Sequence, residues 1–385
     1  MIPYGRQDIC EADIEAVRAV LKSDFLTQGP AIGQFEQTMC EATGAAHAVA
    51  VNSATSALHI ACLALGVGQG DLVWTTPITF VASANAARLC GADVDFVDIE
   101  AGTFNMSADA LEVKLNQARK KGRLPKAIIP VHMCGQSPDM KRISDLARNH
   151  GVAIIEDASH AVGAEYLGRP VGDCSHCNIT VFSFHPVKIV TSAEGGVATT
   201  QHTELAAHMS ELRSHGVTRD SNRMRGPSEG PWYYQQLSLG LNYRMTDMQA
   251  ALGASQITRL KKFVARRRTL ADAYDKLLTD LDILLPERMR DSISAWHLYV
   301  IRLREASQRR PVFEALRADG IGVNVHFIPV HLQPYYRDLG FAPNDFPIAE
   351  DYYARAISIP LYAGLSDADQ QTVVASLKKA LDAQP

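Results

Sequence analysis

A single lysine stands inside an apolar stretch near the middle of the chain, ITVFSFHPVKIV at 179–190. Most lysines in such a setting lie at a strand end, with the stem buried and the ammonium in water. A minority lie in a drier place, where desolvation lowers the pKa and frees the amine to act as a nucleophile or a base. The stretch alone favours the first interpretation of Lys188, so other residues must decide.

Three other groups that could do chemistry follow apolar, strand-like runs. The turn NSATSA at 52–57 follows HAVAV, and at a helix N-terminus such residues can offer free N–H groups to an anion. Plain N-capping by Ser53 or Thr55 is the simpler alternative. Asp157 follows VAIIE and is either a cap for the next element or a functional carboxylate. Ser183 follows ITVF, five residues before the lysine.

Taken together, these groups suit one cofactor. Pyridoxal phosphate requires donors for its phosphate, an acid that keeps its pyridine nitrogen protonated, and a lysine that forms a Schiff base. The chain supplies an anion-binding turn, a carboxylate, a serine and a lysine in that order. The sequence therefore predicts a pyridoxal phosphate site that includes Asp157, Ser183 and Lys188.

The elements that must position these residues alternate in type along the chain. Near-continuous apolar runs alternate with helical periodicity, which is typical of βαβ units and of a sheet covered on both faces. Such sheets bind ligands at the carboxyl ends of their strands, where the residues named above lie. We predict strands at 47–52, 71–76, 94–99, 127–133, 152–159, 179–184 and 195–200, and helices at 55–65, 80–89 and 139–149.

The pattern changes after a stretch rich in Gly, Pro and Arg at 219–234. Thr246 and Gln249 form a capping box that predicts the start of a long helix. Beyond it we predict strands at 296–303 and 324–330 and helices at 311–318 and 366–382. The fold class is therefore α/β: a large domain over 1–245 with a mostly parallel sheet covered by helices, and a smaller α+β unit over 246–385 that includes the linking helix.

Composition restricts the partners. The 385 residues are 46% hydrophobic and 21% charged with a formal net charge of -4, which is ordinary for a globular protein and gives no basic footprint for nucleic acid. The N-terminus lacks a basic region followed by an apolar run. The longest apolar run, 57–67, is interrupted by His59 and is shorter than the roughly 18 residues of a membrane span. We predict a soluble, cytoplasmic protein without a nucleic-acid or membrane partner.

The seven cysteines are scattered and do not resemble a disulfide framework. Cys174 and Cys177 form one C-x-x-C pair with His176 inside it, which could be half of a zinc site or a redox pair. Structural zinc takes four ligands, and the sequence has no second C-x-x-C or H-x(3–5)-H to complete a site. We therefore predict no metal, and keep a metal or redox protein as an alternative.

Several longer motifs resemble one family. NSATSAL, PITFVASAN, IIEDASHAVGAEYLGRPVG, FSFHPVKIVTSAEGGVATT, LRSHG and LGLNYRMTDMQAALGASQ are similar to motifs of the DegT/DnrJ-type sugar-nucleotide aminotransferases, which are pyridoxal phosphate enzymes of fold type I. The resemblance covers nearly the whole chain and keeps the spacing between motifs. It implies that fold, pyridoxal 5'-phosphate as cofactor, and a homodimer with active sites at the subunit interface.

The N-terminal motifs IPYGRQDI and VLKSDFLTQGP look most like those of aminotransferases of the pseudaminic acid pathway. The resemblance implies L-glutamate as amino donor and UDP-2-acetamido-2,6-dideoxy-β-L-arabino-hex-4-ulose as the acceptor, aminated at C4. Related family members aminate TDP- or GDP-linked 4-keto sugars on the same framework, so another nucleotide sugar is an alternative. A non-catalytic regulator on the same fold is a further alternative. A sugar dehydratase branch carries histidine in place of the Schiff-base lysine, which Lys188 argues against.

The resemblance also implies roles for individual residues. Lys188 forms the Schiff base, Asp157 pairs with the pyridine nitrogen, and His160 lies near the phenolic oxygen of the ring. His160 stands where many relatives carry glutamine, which leaves its protonation open. The ring stacks on Phe80. The phosphate is held by Ala54, Thr55 and Ser183, and by Asn242 of the partner subunit.

For the sugar nucleotide, the resemblance implies three parts of the chain besides the phosphate site. They are an N-terminal arm, the loop at 24–27, and a turn in the C-terminal unit. The implied substrate-binding residues are Tyr4, Asp24, Phe25, Leu26, Thr27, Ala54, Ser183, Asn242, Asn324, Val325, His326 and Phe327.

Overall fold

The structure is a computed structural model that describes residues 1–383. Gln384 and Pro385, the last two residues of the predicted C-terminal unit, lie outside the described residues. The helices are α1 (Glu11–Leu21), α2 (Pro30–Thr43), α3 (Ala54–Ala64), α4 (Ala82–Leu89), α5 (Ala108–Lys120), α6 (Met140–Asn149), α7 (Thr203–Leu212), α8 (Asp247–Ile257), α9 (Leu260–Leu277), α10 (Arg309–Ala318), α11 (Pro334–Arg337), α12 (Pro347–Arg355) and α13 (Asp367–Asp382).

The strands fall into one large sheet and several small ones. They are β1 (His47–Val51), β2 (Leu72–Thr75), β3 (Asp93–Phe96), β4 (Ala127–Ile129), β5 (Ala153–Asp157), β6 (Glu165–Tyr166), β7 (Arg169–Pro170), β8 (Ile179–Ser183), β9 (Gly196–Thr200), β10 (Val217–Thr218), β11 (Gln235–Gln236), β12 (Ile283–Leu284), β13 (Ser292–Ile293), β14 (Tyr299–Leu303) and β15 (Ala356–Ile359).

The large sheet has seven strands in the order β1-β9-β8-β5-β4-β2-β3. The pairs from β8 through β5, β4 and β2 to β3 are parallel, whereas β9 runs antiparallel to both of its neighbours, β1 and β8. The prediction of a mostly parallel sheet covered by helices is therefore confirmed. All seven predicted strands of this sheet are present, most of them a little shorter than predicted.

The apolar runs arise because both faces of this sheet are covered. Alternate residues of a strand point to opposite faces. Ile128 and Ile154 pack into a core cluster with residues of α5 and α6, while their neighbours Ile129 and Ile155 pack into another with residues of α3 and α4. Each strand must therefore be apolar at nearly every position.

The C-terminal part contains a three-stranded antiparallel sheet in the order β12-β14-β15. Its buried residues share a core cluster with α9, α10 and α13. Among the described residues no helix has both the length and the apolar composition that a membrane crossing demands. The domain boundary at 245/246 stays a prediction.

Two expectations for this part are wrong. The helix predicted from Thr246 is divided into α8 and α9, because Thr258 and Arg259 bond to the third residue before each of them rather than the fourth. The capping box at its start is present, with reciprocal bonds of 3.3 and 3.0 Å between Thr246 and Gln249. The predicted strand at 324–330 is irregular apart from one bridge at Asn324, since Pro329 has no N–H to donate to a ladder.

Candidate active site

The carboxyl ends of two neighbouring parallel strands bring the predicted acid and serine to one edge of the sheet. Asp157 is the last residue of β5 and Ser183 the last residue of β8, and the register pairs Asp157 with Val181. Lys188 follows in a turn closed by a 2.9 Å bond from its N–H to the carbonyl of His185. Strand order therefore places all three residues at the same edge.

Lys188 is half-buried, and its pKa favours the drier of the two settings that the sequence allowed. Burial lowers the pKa of the Lys188 ammonium to about 8, and the negative charge of Asp157 opposes part of that effect. The lysine and the carboxylate are therefore close enough for their charges to interact. An amine with this pKa is partly neutral near neutral pH, as a nucleophile or a base must be.

Both oxygens of the Asp157 carboxylate are held. Oδ2 accepts a 2.6 Å hydrogen bond from the hydroxyl of Ser83, and Oδ1 accepts a 3.1 Å bond from the N–H of Ser159. The Ser83 hydroxyl is in turn 2.7 Å from that of Thr79. The side chain of Asp157 is only 5% exposed, so protein donors replace water around it.

The turn at 52–57 forms an anion cradle. Ser53 caps α3 by accepting a 3.1 Å bond from the N–H of Ser56. The first N–H groups of a helix have no partner within it, so the amides of Ala54 and Thr55 remain for a ligand. Capping and anion binding, alternatives in the sequence, are thus compatible here.

A glycine joins this cradle to the sheet. Gly196 is paired with Ser183 across β8 and β9, and a Cβ added to it would lie 2.4 Å from the carbonyl oxygen of Ser53 and 2.5 Å from the nitrogen of Ala54. Only a residue without a side chain allows this approach. The cradle and Ser183 are thereby brought side by side.

Three histidines surround the lysine. His160 and His297 are buried with ring centroids 4.4 Å apart, and their Nδ1 atoms have no protein partner within residues 1–383. Burial, then the charge of Lys188, lowers the pKa of His160, and burial with neighbouring cations lowers that of His297. Burial and Lys188 also lower the pKa of His326 to about 4. These imidazoles are therefore neutral at neutral pH.

This donor set fits pyridoxal phosphate. The cradle and Ser183 offer donors to a phosphate, Asp157 offers a fixed carboxylate, and Lys188 offers an amine of low pKa. The orphaned Nδ1 of His160 is a buried polar atom that a ligand oxygen can satisfy. Phe80 is 60% exposed, which leaves its ring face free for a planar ligand.

Part of the predicted substrate set gathers beside this site. The ring of Tyr4 lies 5.5 Å from that of His326, and the ring of Phe327 lies 6.0 Å from that of His160 and 6.2 Å from that of Phe80. His326 is fixed by a 2.8 Å hydrogen bond between its Nδ1 and the hydroxyl of Ser358. The N-terminal arm and the turn that also contains Asn324 and Val325 thus meet the cofactor residues.

The other predicted residues lie elsewhere on this subunit. The loop of Asp24, Phe25, Leu26 and Thr27 is held at the start of α8, where the Leu26 carbonyl accepts a 3.0 Å bond from the N–H of Asp247 and Thr27 bridges Thr246. Asn242 is exposed and bridges Ser214. Their predicted contacts, which for Asn242 involve a second subunit, stay predictions.

The C-x-x-C pair lies just before β8, at the end of that strand opposite Ser183. The sulfurs of Cys174 and Cys177 lie 3.5 and 3.2 Å from the same hydroxyl, that of Thr180. Within residues 1–383 no cluster of three His, Cys, Asp or Glu side chains is suited to a metal ion. Burial raises the pKa of the Cys177 thiol, which makes it a poor nucleophile.

Sequence reasoning did not identify three polar residues of the site. Ser83 bonds to Asp157 and Thr79 to Ser83, and the ring of His297 packs at a tilt against that of His160. Thr79 and Ser83 belong to the motif PITFVASAN, which pointed to the region but not to their contacts. His297 had no signal beyond its place in an apolar run.

Known proteins share this architecture. The profile of the DegT/DnrJ/EryC1/StrS aminotransferase family matches residues 7–378. The UDP-4-amino-4,6-dideoxy-N-acetyl-beta-L-altrosamine transaminase of Campylobacter jejuni is 37% identical over 385 residues, which cover 99% of this chain and 98% of the relative.

Solved structures extend the comparison to the cofactor. PseC of Helicobacter pylori, an aminotransferase involved in the biosynthesis of pseudoaminic acid, is 31% identical with a TM-score of 0.91 and 100% coverage of both chains. Spr1654 of Streptococcus pneumoniae, solved in its PLP form, is 30% identical with a TM-score of 0.89, covering 99% of this chain and 98% of that chain. The protein is a sugar aminotransferase that depends on pyridoxal phosphate. It belongs to the DegT/DnrJ/EryC1/StrS aminotransferase family.

Proposed function

We propose that the enzyme moves an amino group from L-glutamate to C4 of UDP-2-acetamido-2,6-dideoxy-β-L-arabino-hex-4-ulose, a step of pseudaminic acid biosynthesis. The observation that carries this proposal is the meeting of Tyr4, from the N-terminal arm, with His326 next to the lysine site. The arm is the part of the sequence that resembles the pseudaminic acid enzymes. The names of the Campylobacter and Helicobacter relatives support the same sugar.

The proposed roles follow from the chemistry of each side chain. Bound pyridoxal phosphate supplies an aldehyde that condenses with amines and a ring that accepts electrons. Asp157 pairs with the ring nitrogen and holds a proton there. The α3 N-terminus and Ser183 bind the phosphate, and His160, neutral because burial lowers its pKa, faces the phenolic oxygen. Phe80 packs on the ring face.

Lys188 acts twice in the proposed cycle. Its amine would hold the cofactor between turnovers and would be displaced by glutamate. The freed amine, partly neutral because its pKa is about 8, then takes the proton from Cα of glutamate. Water would release 2-oxoglutarate and leave the amino nitrogen on the cofactor. The 4-keto sugar would then enter, its C4 oxygen would leave as water, and the same amine would deliver a proton to C4 of the sugar. Two half-reactions at one site give ping-pong kinetics.

The proposal includes a homodimer. Asn242 is exposed on its own subunit, which is compatible with the predicted contact of this residue with the phosphate site of a partner subunit. The 24–27 loop, anchored at the start of α8, is the second element proposed to reach substrate. The predicted cytoplasmic location accords with the use of a nucleotide-linked sugar.

A product assay tests the function. Purified enzyme is incubated with pyridoxal phosphate, L-glutamate and 4-keto sugars linked to UDP, TDP or GDP, and products are resolved by mass spectrometry and NMR. We expect amination at C4 of the UDP-linked N-acetylated sugar with a kcat/KM at least about tenfold above the others, corresponding to one good discriminating contact. Preference for a TDP- or GDP-linked sugar would replace the proposed substrate. Lys188→Ala, run in parallel, controls for contaminating activity.

A further inference from the structure

A chain of buried hydroxyl groups ends on the catalytic carboxylate. Thr79 and Ser83 lie in and after the loop that joins β2 to α4, and both are buried, with 2% and 0% of the residue exposed. The hydroxyl oxygens are 2.7 Å apart, and that of Ser83 lies 2.6 Å from Oδ2 of Asp157. No part of the proposed chemistry uses these two hydroxyls directly.

The direction of the Thr79–Ser83 and Ser83–Asp157 hydrogen bonds follows from the number of protons that each group can donate. An ionised carboxylate only accepts, so the single proton of Ser83 points to Asp157. The oxygen of Ser83 is then free to accept, and Thr79 donates to it. Each bond in such a row polarises the next, which strengthens the last one.

The hydroxyls of Thr79 and Ser83 hold the Asp157 carboxylate from one side, and the backbone N–H of Ser159 holds it from the other. Ser159 donates its N–H to Oδ1 at 3.1 Å, so the Asp157 side chain cannot rotate without losing a bond. Hydrogen bonds to the charged form of an acid stabilise that form. The same loop also carries Phe80, so its position relative to Asp157 is coupled to the Ser83 bond.

We propose that Thr79 and Ser83 form a relay of positioning residues that keeps the Asp157 carboxylate hydrogen-bonded and oriented toward the ring nitrogen of the cofactor. Neither residue touches a reacting atom, and both act through Asp157. The inference rests on the role given to Asp157 in the proposed function. The two hydroxyls would thus influence the protonation of the ring nitrogen without touching the cofactor.

The test uses the holoenzyme of Ser83→Ala. Loss of a hydrogen bond to a charged group predicts a fall in kcat of about tenfold to a hundredfold, with KM for glutamate changed less than about threefold. The visible absorption band of the bound cofactor supplies a readout besides activity. A ring nitrogen that is less fully protonated raises the proton affinity of the imine nitrogen, so we expect the midpoint of its pH titration to move upward by about one pH unit.

Two further variants separate the hydroxyl from its packing. Thr79→Val keeps the shape and removes the donor, and we expect a smaller change in the same direction, whereas Thr79→Ser keeps the donor and restores the wild-type titration. Ser376→Ala is the matched control, because Ser376 donates to the carboxylate of Asp319 at 2.8 Å in the C-terminal unit. That variant leaves both kcat and the band unchanged. Thr79→Val also tests the relay should Ser83→Ala fail to fold.

A double-mutant cycle with Asp157→Asn decides whether the relay acts through the carboxylate. In that background we expect Ser83→Ala to lower kcat by less than about twofold. A wild-type kcat and an unshifted band in both Ser83→Ala and Thr79→Val would overturn the inference while leaving the function intact. A near wild-type rate in Asp157→Asn alone would instead overturn the role of Asp157, and equal losses with and without Asp157 would show that Ser83 acts elsewhere.

Discussion

The titration of Lys188 is a direct test of the site's electrostatics. In the cofactor-free protein, burial lowers the pKa of this lysine from an ordinary 10.5 to about 8. The difference corresponds to roughly 3 kcal/mol against the charged form. At about pH 7.5, about a quarter of the Lys188 amine would be neutral, against about one in a thousand for an ordinary lysine. The reactive fraction is therefore about two hundredfold larger than in solution.

The rate at which the apoenzyme binds pyridoxal phosphate covalently measures this fraction. We would mix apoenzyme with cofactor in a stopped-flow instrument between about pH 6 and pH 10 and follow the visible band. The same reaction with N-acetyl-lysine, measured at each pH, corrects for the titration of the aldehyde itself. The corrected rate should rise with pH and reach half of its plateau near pH 8, the value set by burial and Asp157.

Substitution of Asp157 tests the direction in which its charge shifts the pKa of Lys188. The charge of Asp157 raises the pKa of Lys188, so Asp157→Asn should lower the midpoint to below pH 8 and enlarge the neutral fraction. Asp319→Asn, a change of the same kind in the C-terminal unit, should leave the midpoint in place. A midpoint near 10.5 would refute the dry setting of Lys188, and an upward shift in Asp157→Asn would refute its pairing with the carboxylate.

Three other substitutions test separate parts of the site. Lys188→Ala should abolish both turnover and the visible band, measured by product assay and spectrophotometry; retention of both would remove the lysine from the mechanism. Asp157→Asn should lower kcat by at least about a thousandfold while the cofactor still binds, because a neutral amide cannot stabilise a ring-nitrogen proton as a carboxylate does. Gly196→Ala should weaken cofactor binding at least about tenfold in a fluorescence titration, since its Cβ would displace the backbone of the anion cradle.

The strands and the functional residues at their ends could be predicted together, because a sheet covered on both faces produces apolar runs that end in polar residues. A sheet covered on both faces demands apolar runs, so β5 and β8 stood out, and the polar residues that end them are conspicuous by contrast. Asp157, Ser183 and Lys188 could then be assigned to one edge from the βαβ pattern alone. The helices α1, α2, α5 and α7 were not predicted.

Contacts that depend on strand order were not predictable from local patterns. β9 enters the sheet antiparallel between β1 and β8, and this arrangement alone brings Gly196 against the start of α3. The apolar composition of 195–200 is the same for either direction. The strand predicted at 324–330 was wrong because Pro329 has no N–H for a ladder, and the rings of His326 and Phe327 pack against Tyr4 and Phe80 instead.

Polar contacts within the site also depend on strand order and could not be predicted from local sequence patterns. Ser83 and Asp157 are 74 residues apart in sequence, and their strands, β2 and β5, are separated in the sheet by β4. A buried serine needs a partner, but the sequence does not say which one. In a parallel sheet, however, every loop after a strand reaches the same edge, so the candidate partners of a strand-end acid are the few hydroxyls in those loops. Thr79, in the loop after β2, and Ser83, at the start of α4, are therefore the residues to mutate first. Both are buried, and hydrogen bonds connect them to the carboxylate of Asp157.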